Sequence, residues 1–151
     1  MPDETSTDDP QPNVGVLMYV AARSLEARAY DALVAAGAAD VTPTQARLMA
    51  QVDPDGSRLV TLAARARITK QSASFLVDQL ERAGYVERVP DPYDGRAKLV
   101  RLTPRAREVG DAADAVVAVA LGQWEEHLGS ARMRALEETM RLLRQVTDPW
   151  A

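Results

Sequence analysis

Residues 69–74 read TKQSAS, which gathers Thr69, Lys70, Gln71, Ser72 and Ser74 with no carboxylate before Asp78. These side chains form hydrogen bonds without carrying negative charge. A glutamine fits the edge of adenine bidentately, and a serine pairs with any base edge. Further on, RVPDPYDGRAKLVRLT at 88–103 sets Arg88, Arg96, Lys98 and Arg101 around a cluster of turn formers, Pro90, Asp91, Pro92, Asp94 and Gly95. Asp94 stands two residues before Arg96, where a charge-assisted bond could fix the guanidinium. Lys98 and Arg101 fall on the strand that returns from the turn, within reach of phosphates. The chemistry expected of the two stretches is recognition of a polyanion, with base edges read by the first and a groove or backbone met by the second. The plainer alternative is a solvated first helical turn and a hairpin whose charges only keep it soluble.

Other chemistry has little to work with. The chain has no Cys and a single His, His127, so neither a metal site nor thiol chemistry is expected. It contains no HExxH, no GxSxG, no phosphate-binding glycine loop and no Cys/His pair, so no enzyme and no cofactor are expected. The formal charge of -4 hides an asymmetry. Residues 58–107 hold eleven Lys/Arg against five Asp/Glu, whereas the rest hold seven against seventeen. A basic middle between acidic ends is the electrostatic outline of a nucleic-acid reader. No apolar run approaches the roughly 20 residues of a membrane span. The first thirteen residues carry four acids and no base, which predicts a disordered acidic arm rather than a targeting peptide, and a cytoplasmic protein.

The two stretches need a scaffold, and the apolar spacing supplies one. Val14, Leu17, Met18, Ala21, Leu25, Ala29, Ala32 and Leu33 recur at helical intervals, predicting a helix over 14–36 with Gly37 at its end. TPTQ at 42–45 predicts a capping box opening a helix over 43–52, and DPDG at 53–56 a turn. Thr61 is expected to start a short helix to about residue 67. Thr69 should cap a longer one through Ala83, with Gly84 as its stop. Residues 86–89 and 98–102 are β-prone arms of a hairpin. Thr103-Pro104 opens a helix to about Leu128, and Ser130 is expected to cap the last, whose stripe is Met133, Leu136, Met140, Leu143 and Val146. Val116, Val117, Val119, Leu121, Trp124 and Leu128 wrap most of the preceding helix, which predicts burial on several sides and hence a second copy of the chain.

Two helices joined by a tight turn, the second with a polar start, followed by a hairpin, predict a winged helix-turn-helix. Leu62-Ala63, LVDQLE at 76–81, GYV at 84–86, Arg88, DPYDGR at 91–96 and Leu102-Thr103 follow in an order that resembles the MarR family of bacterial transcriptional regulators. The resemblance covers about 14–147, and DPxDxR is its most specific mark. It implies a mainly α fold (α+β winged helix-turn-helix) in the order α1-α2-β1-α3-α4-β2-wing-β3-α5-α6. It further implies one domain over 14–147, with 14–36 and 104–147 as dimerisation helices and 43–103 as the winged lobe. The implied function is a homodimeric repressor of double-stranded DNA with a palindromic operator, released by a small aromatic or anionic ligand. The DNA contacts carried over are Thr69, Lys70, Gln71, Ser72 and Ser74 on the recognition helix and Asp94, Arg96, Lys98 and Arg101 on the wing. Met18, Tyr30, Arg47 and Met49 are the candidates for the ligand pocket. A winged-helix protein-interaction module without a ligand is the alternative. Three residues depart from the family pattern. Arg67 and Ala106 stand where glycine is common, and Phe75 is unusually bulky for a recognition helix. Phe75 could touch a thymine methyl or pack beneath the wing.

Overall fold

A computed structural model of the chain describes residues 11–148. Of the predicted N-terminal arm, residues 1–10 lie outside the described residues. The order is α1 (Val14–Ala35), α2 (Pro43–Met49), β1 (Ser57–Arg58), α3 (Leu59–Arg65), α4 (Lys70–Arg82), β2 (Val86–Asp91), β3 (Asp94–Leu102), α5 (Pro104–Leu128) and α6 (Ser130–Thr147). This is the predicted winged helix-turn-helix order. The strands form one antiparallel sheet in the order β1-β3-β2.

Local chemistry sets most boundaries. Thr42 accepts from the amide of Gln45 while the Gln45 side chain accepts from the amide of Thr42, so the predicted capping box opens α2. That helix stops at Met49, three residues short of expectation. Beyond it the chain tightens into turns in which the Gln51 and Val52 amides donate to the carbonyls of Leu48 and Met49 (3.1 Å each), in place of the helical i to i−4 bonds. The helix α3 starts two residues earlier than Thr61 predicts, because β1 pairs Ser57 with Val100 and Arg58 with Leu99 and delivers the chain into the helix directly. It ends two residues earlier too, where Arg67 adopts φ 53°. Glycine is the usual occupant of that left-handed region, and an arginine there costs of the order of 1 kcal/mol. Ser130 does not cap α6. The N-cap is Gly129 at φ 83°, with no side-chain cap bond, because α6 follows α5 with a single intervening residue.

The winged lobe and the start of α5 share one core, in which Leu48, Leu62, Val77, Leu80, Tyr85 and Val100 are fully or almost fully buried. Ala106 is also buried, so its small side chain lets α5 approach the lobe. The helix α1 packs along α5 but contributes only Leu33 to the core. Val14, Leu17, Tyr19 and Val20 of α1 and Leu136, Met140, Leu142 and Val146 of α6 remain exposed in the isolated chain.

Candidate nucleic-acid interface

The helix α4 begins where the sequence places it. The Thr69 hydroxyl accepts from the amide of Ser72 (3.0 Å) and donates to the Ser72 hydroxyl (2.8 Å). Thr69 therefore spends its side chain on holding the turn. Lys70, Gln71 and Ser72 are exposed and Ser74 is half-buried. Ala73, Val77 and Leu80 form the buried face, so the polar start looks away from the core. The amides of Lys70 and Gln71, unlike that of Ser72, have neither an intrahelical acceptor nor the cap and can meet an anion.

Acids later in α4 would repel a polyanion, but they are engaged. Arg88 on β2 donates to Asp78 (2.5 Å) and to both oxygens of Glu81, through its guanidinium and its own amide. Arg88 is thus a brace between α4 and β2 rather than a free cation of the hairpin. Its pKa is raised by these two carboxylates against the opposing effect of burial.

The hairpin is longer and more tightly made than its β-prone residues suggest. The strands pair from Val86 with Leu102 to Pro90 with Lys98, then shift register so that Asp91 faces Asp94. Pro92 and Tyr93 form the turn, and Gly95, Arg96 and Ala97 bulge from the returning strand. Pro90 is tolerated because β2 is an edge strand. Asp91 organises the tip. Its carboxylate, only 6% exposed, accepts from the Tyr93 amide (2.9 Å) and from Arg58 of β1 (2.6 and 2.9 Å). The Tyr93 amide first, and then Arg58, hold its pKa below the ordinary carboxylate value. Sequence reasoning did not find this pair. The clue was the first Asp of DPYD, since an aspartate before a turn commonly binds backbone two residues on.

Two wing expectations need correction. Asp94 does not hold the Arg96 guanidinium. Its Oδ1 accepts from the Arg96 amide (3.1 Å), and its Oδ2 lies 3.7 Å from Arg58. The bulge explains this, because it turns the backbone N–H of Arg96 toward the carboxylate. Arg101 is also not a free cation, since it donates to Glu87 directly across the strands (3.1 and 2.8 Å). Lys70, Arg96 and Lys98 are exposed and make no ion pair among the described residues.

Phe75 is 59% exposed, so it does not pack beneath the wing. A groove of about 640 Å³ lies between α1, α2 and α5. Tyr30, Arg47 and Met49, three of the four residues considered for a ligand pocket, line it. Met18 does not, because it sits more than a helical turn before Arg23, the first residue of α1 to reach the groove. At the rim, Glu26 pairs with Arg47 and with Arg23 (2.7 Å), and Arg47, then Arg23, lower its pKa. Tyr30 donates to the carbonyl of Val41 (2.8 Å) and so ties α1 to the loop before α2.

A short brace helix, a polar-fronted second helix and a three-stranded sheet with a projecting hairpin define a winged helix-turn-helix protein. The sequence model of the MarR family matches residues 39–97, and the resemblance read from the sequence is borne out over that lobe. Solved structures share the whole fold. CouR from Rhodococcus jostii RHA1, bound to p-coumaroyl-CoA, aligns with TM-score 0.67 and 24% identity, over 99% of each chain. RV1404 from Mycobacterium tuberculosis aligns with TM-score 0.68 and 22% identity, over 91% of this chain and 97% of that one. Wild-type apo MarR from E. coli aligns with TM-score 0.63 and 22% identity, over 90% and 98%. At these identities the likeness is one of fold. No curated protein matches the chain. Among the described residues, no helix is long and apolar enough to cross a membrane.

Proposed function

We propose that the chain is a homodimeric, sequence-specific reader of double-stranded DNA that represses transcription until a small ligand releases it. The observation that carries this reading is the start of α4. Lys70, Gln71 and Ser72 are exposed there without a carboxylate, and Arg88 pairs with both acids further along the same helix, offsetting one of their two charges. Gln71 and Ser72 read base edges, with Ser74 at the flank, while Lys70 and the first-turn amides meet phosphate. On the wing, Arg96 enters the flanking minor groove and Lys98 meets the backbone, with Arg101 held back by Glu87. The exposed apolar side chains of α1 and α6 support a two-fold dimer through the dimerisation helices α1, α5 and α6, because monomers rarely leave so large an apolar face in water. Such a dimer fits a palindromic operator.

The ligand reading rests on the groove between α1, α2 and α5. Its size suits a small molecule, and its wall of Leu25, Tyr30, Leu33, Met49 and Val117 suits an aromatic one. An anionic group on that ligand would compete with Glu26 for Arg47. CouR, of the same fold, is bound to p-coumaroyl-CoA, an aromatic and anionic molecule. The groove adjoins both α5 and the lobe, so a ligand that prefers one lobe orientation shifts the population between DNA-competent and incompetent dimers.

The test is selection of tightly bound sequences from random duplexes, followed by titration of variants at fixed salt. Gln71→Ala is expected to relax preference at one base position per half-site, at a cost of about 1–3 kcal/mol. Lys98→Ala is expected to weaken binding to all sequences and to flatten the salt dependence. Uniform weakening by Gln71→Ala, with preference intact, contradicts base reading by this turn.

A further inference from the structure

We infer that Phe75 is a specificity-determining residue that reads a thymine methyl group in the major groove. The inference rests on the DNA-reading function proposed for α4. Its physical basis is the phase of the helix. With about 100° per residue, Phe75 lies roughly 40° around the axis from Gln71 and one turn further along. It lies roughly 165° from the middle of the stripe formed by Ala73, Val77 and Leu80, all of them buried. Phe75 therefore points almost directly away from the core, on the stripe that Gln71 begins. Its 59% exposure agrees with that phase.

The chain has one phenylalanine, and it stands exposed in the middle of α4, just past that helix's polar first turn. Nothing in the fold uses it. It belongs to no core cluster, and the wing strands do not cover it. A ring in this position must meet whatever α4 meets. Of the groups on the floor of the major groove, the thymine C5-methyl is the apolar one. The neighbours of Phe75 permit such an approach. Asp78, three residues on, is held by Arg88, and Arg82 bonds back to the Asp78 carbonyl (3.1 Å), so no free carboxylate lies beside the ring. Gln71 and Phe75 then read successive positions by different means, a polar edge first and a methyl group second.

The test uses the duplex recovered by selection and replaces its thymines one at a time by deoxyuridine, which removes only the methyl. With the unmodified protein, one or two substitutions in each half-site are expected to weaken binding roughly fourfold, the value of one buried methyl-sized group. Phe75→Ala is expected to bind the parent duplex more weakly and to lose sensitivity at those same positions. Phe75→Leu should keep part of it. The side chain is exposed, so both variants should fold, and circular dichroism checks this. A flat deoxyuridine scan with the unmodified protein, or an unchanged scan with Phe75→Ala, overturns the assignment while leaving DNA reading intact. An unmodified protein that prefers no sequence over random competitor overturns the DNA-reading function and, with it, the role of Phe75.

Discussion

At the scale of single residues, the wing shows how a short acidic side chain can serve a cationic loop. Asp94 carries a charge of the wrong sign for DNA, yet it holds the Arg96 amide and so shapes the bulge that presents Arg96. Removing the side chain and removing the charge should therefore have different effects. Asp94→Ala loses the acceptor and is expected to weaken DNA binding by about 1 kcal/mol, the usual net worth of such a bond. Asp94→Asn keeps an oxygen at the same place, sheds the charge, and is expected to bind as well as the unmodified protein or better. Titration of both on one duplex at one salt concentration decides the matter. Equal or tighter binding by Asp94→Ala would mean that net charge alone governs the wing. The sequence placed Asp94 beside Arg96 but not the bond between them, because the bulge that turns the backbone arises from strand register. Arg88 and Arg101 were unreadable for the same reason. Their carboxylate partners become neighbours only when β2 lies on α4 and on β3 in a particular register. The phase of Phe75 against Val77 and Leu80, in contrast, was readable from spacing.

At the scale of elements, the junction of the lobe with α5 is built around Tyr85. The phenol is fully buried, donates to Asp40 (2.6 Å) and accepts from Arg105 (2.9 Å). The Arg105 guanidinium lies 4.3 Å from the ring centre and also donates to the carbonyl of Ala83 (2.7 Å). The loop before α2, the end of α4, the start of β2 and the start of α5 are thereby joined at one side chain. Burial, and then the bond to Asp40, push the Tyr85 pKa up to about 12. A raised phenol pKa means that the neutral form is favoured in the folded state. Its contribution to stability is complete below the ordinary value of about 10 and is lost as pH climbs toward the folded value. An ultraviolet titration is expected to show one phenol ionising near pH 12 together with loss of the lobe's structure, and Tyr85→Phe is expected to lack that step. Identical titrations of the two proteins would contradict the junction. Element boundaries set by local caps, such as those of α2, α4 and α5, were legible in the sequence. Boundaries set by pairing with a distant strand, as at the start of α3 and along β2 and β3, were not.

At the scale of the molecule, charge and apolar surface are segregated. Lys70, Arg96 and Lys98 leave unpaired positive charge on the start of α4 and on the wing, and the acids that give the net charge of -4 fall mainly outside residues 58–107. An acidic molecule with a small basic surface stays soluble and binds DNA weakly except where geometry aligns that surface with a groove. The apolar side chains left on α1 and α6 support the proposed dimer, in which a two-fold axis through them would set two α4 helices on one face of the duplex. The most direct measurement is the mass of the complex formed with a selected duplex, by light scattering or native mass spectrometry. The expected result is a dimer when free, and one dimer bound to an inverted repeat whose half-site centres are about one helical turn, or a multiple of it, apart. A stable free monomer at micromolar concentration that occupies a non-repeated site as a single chain would contradict the account.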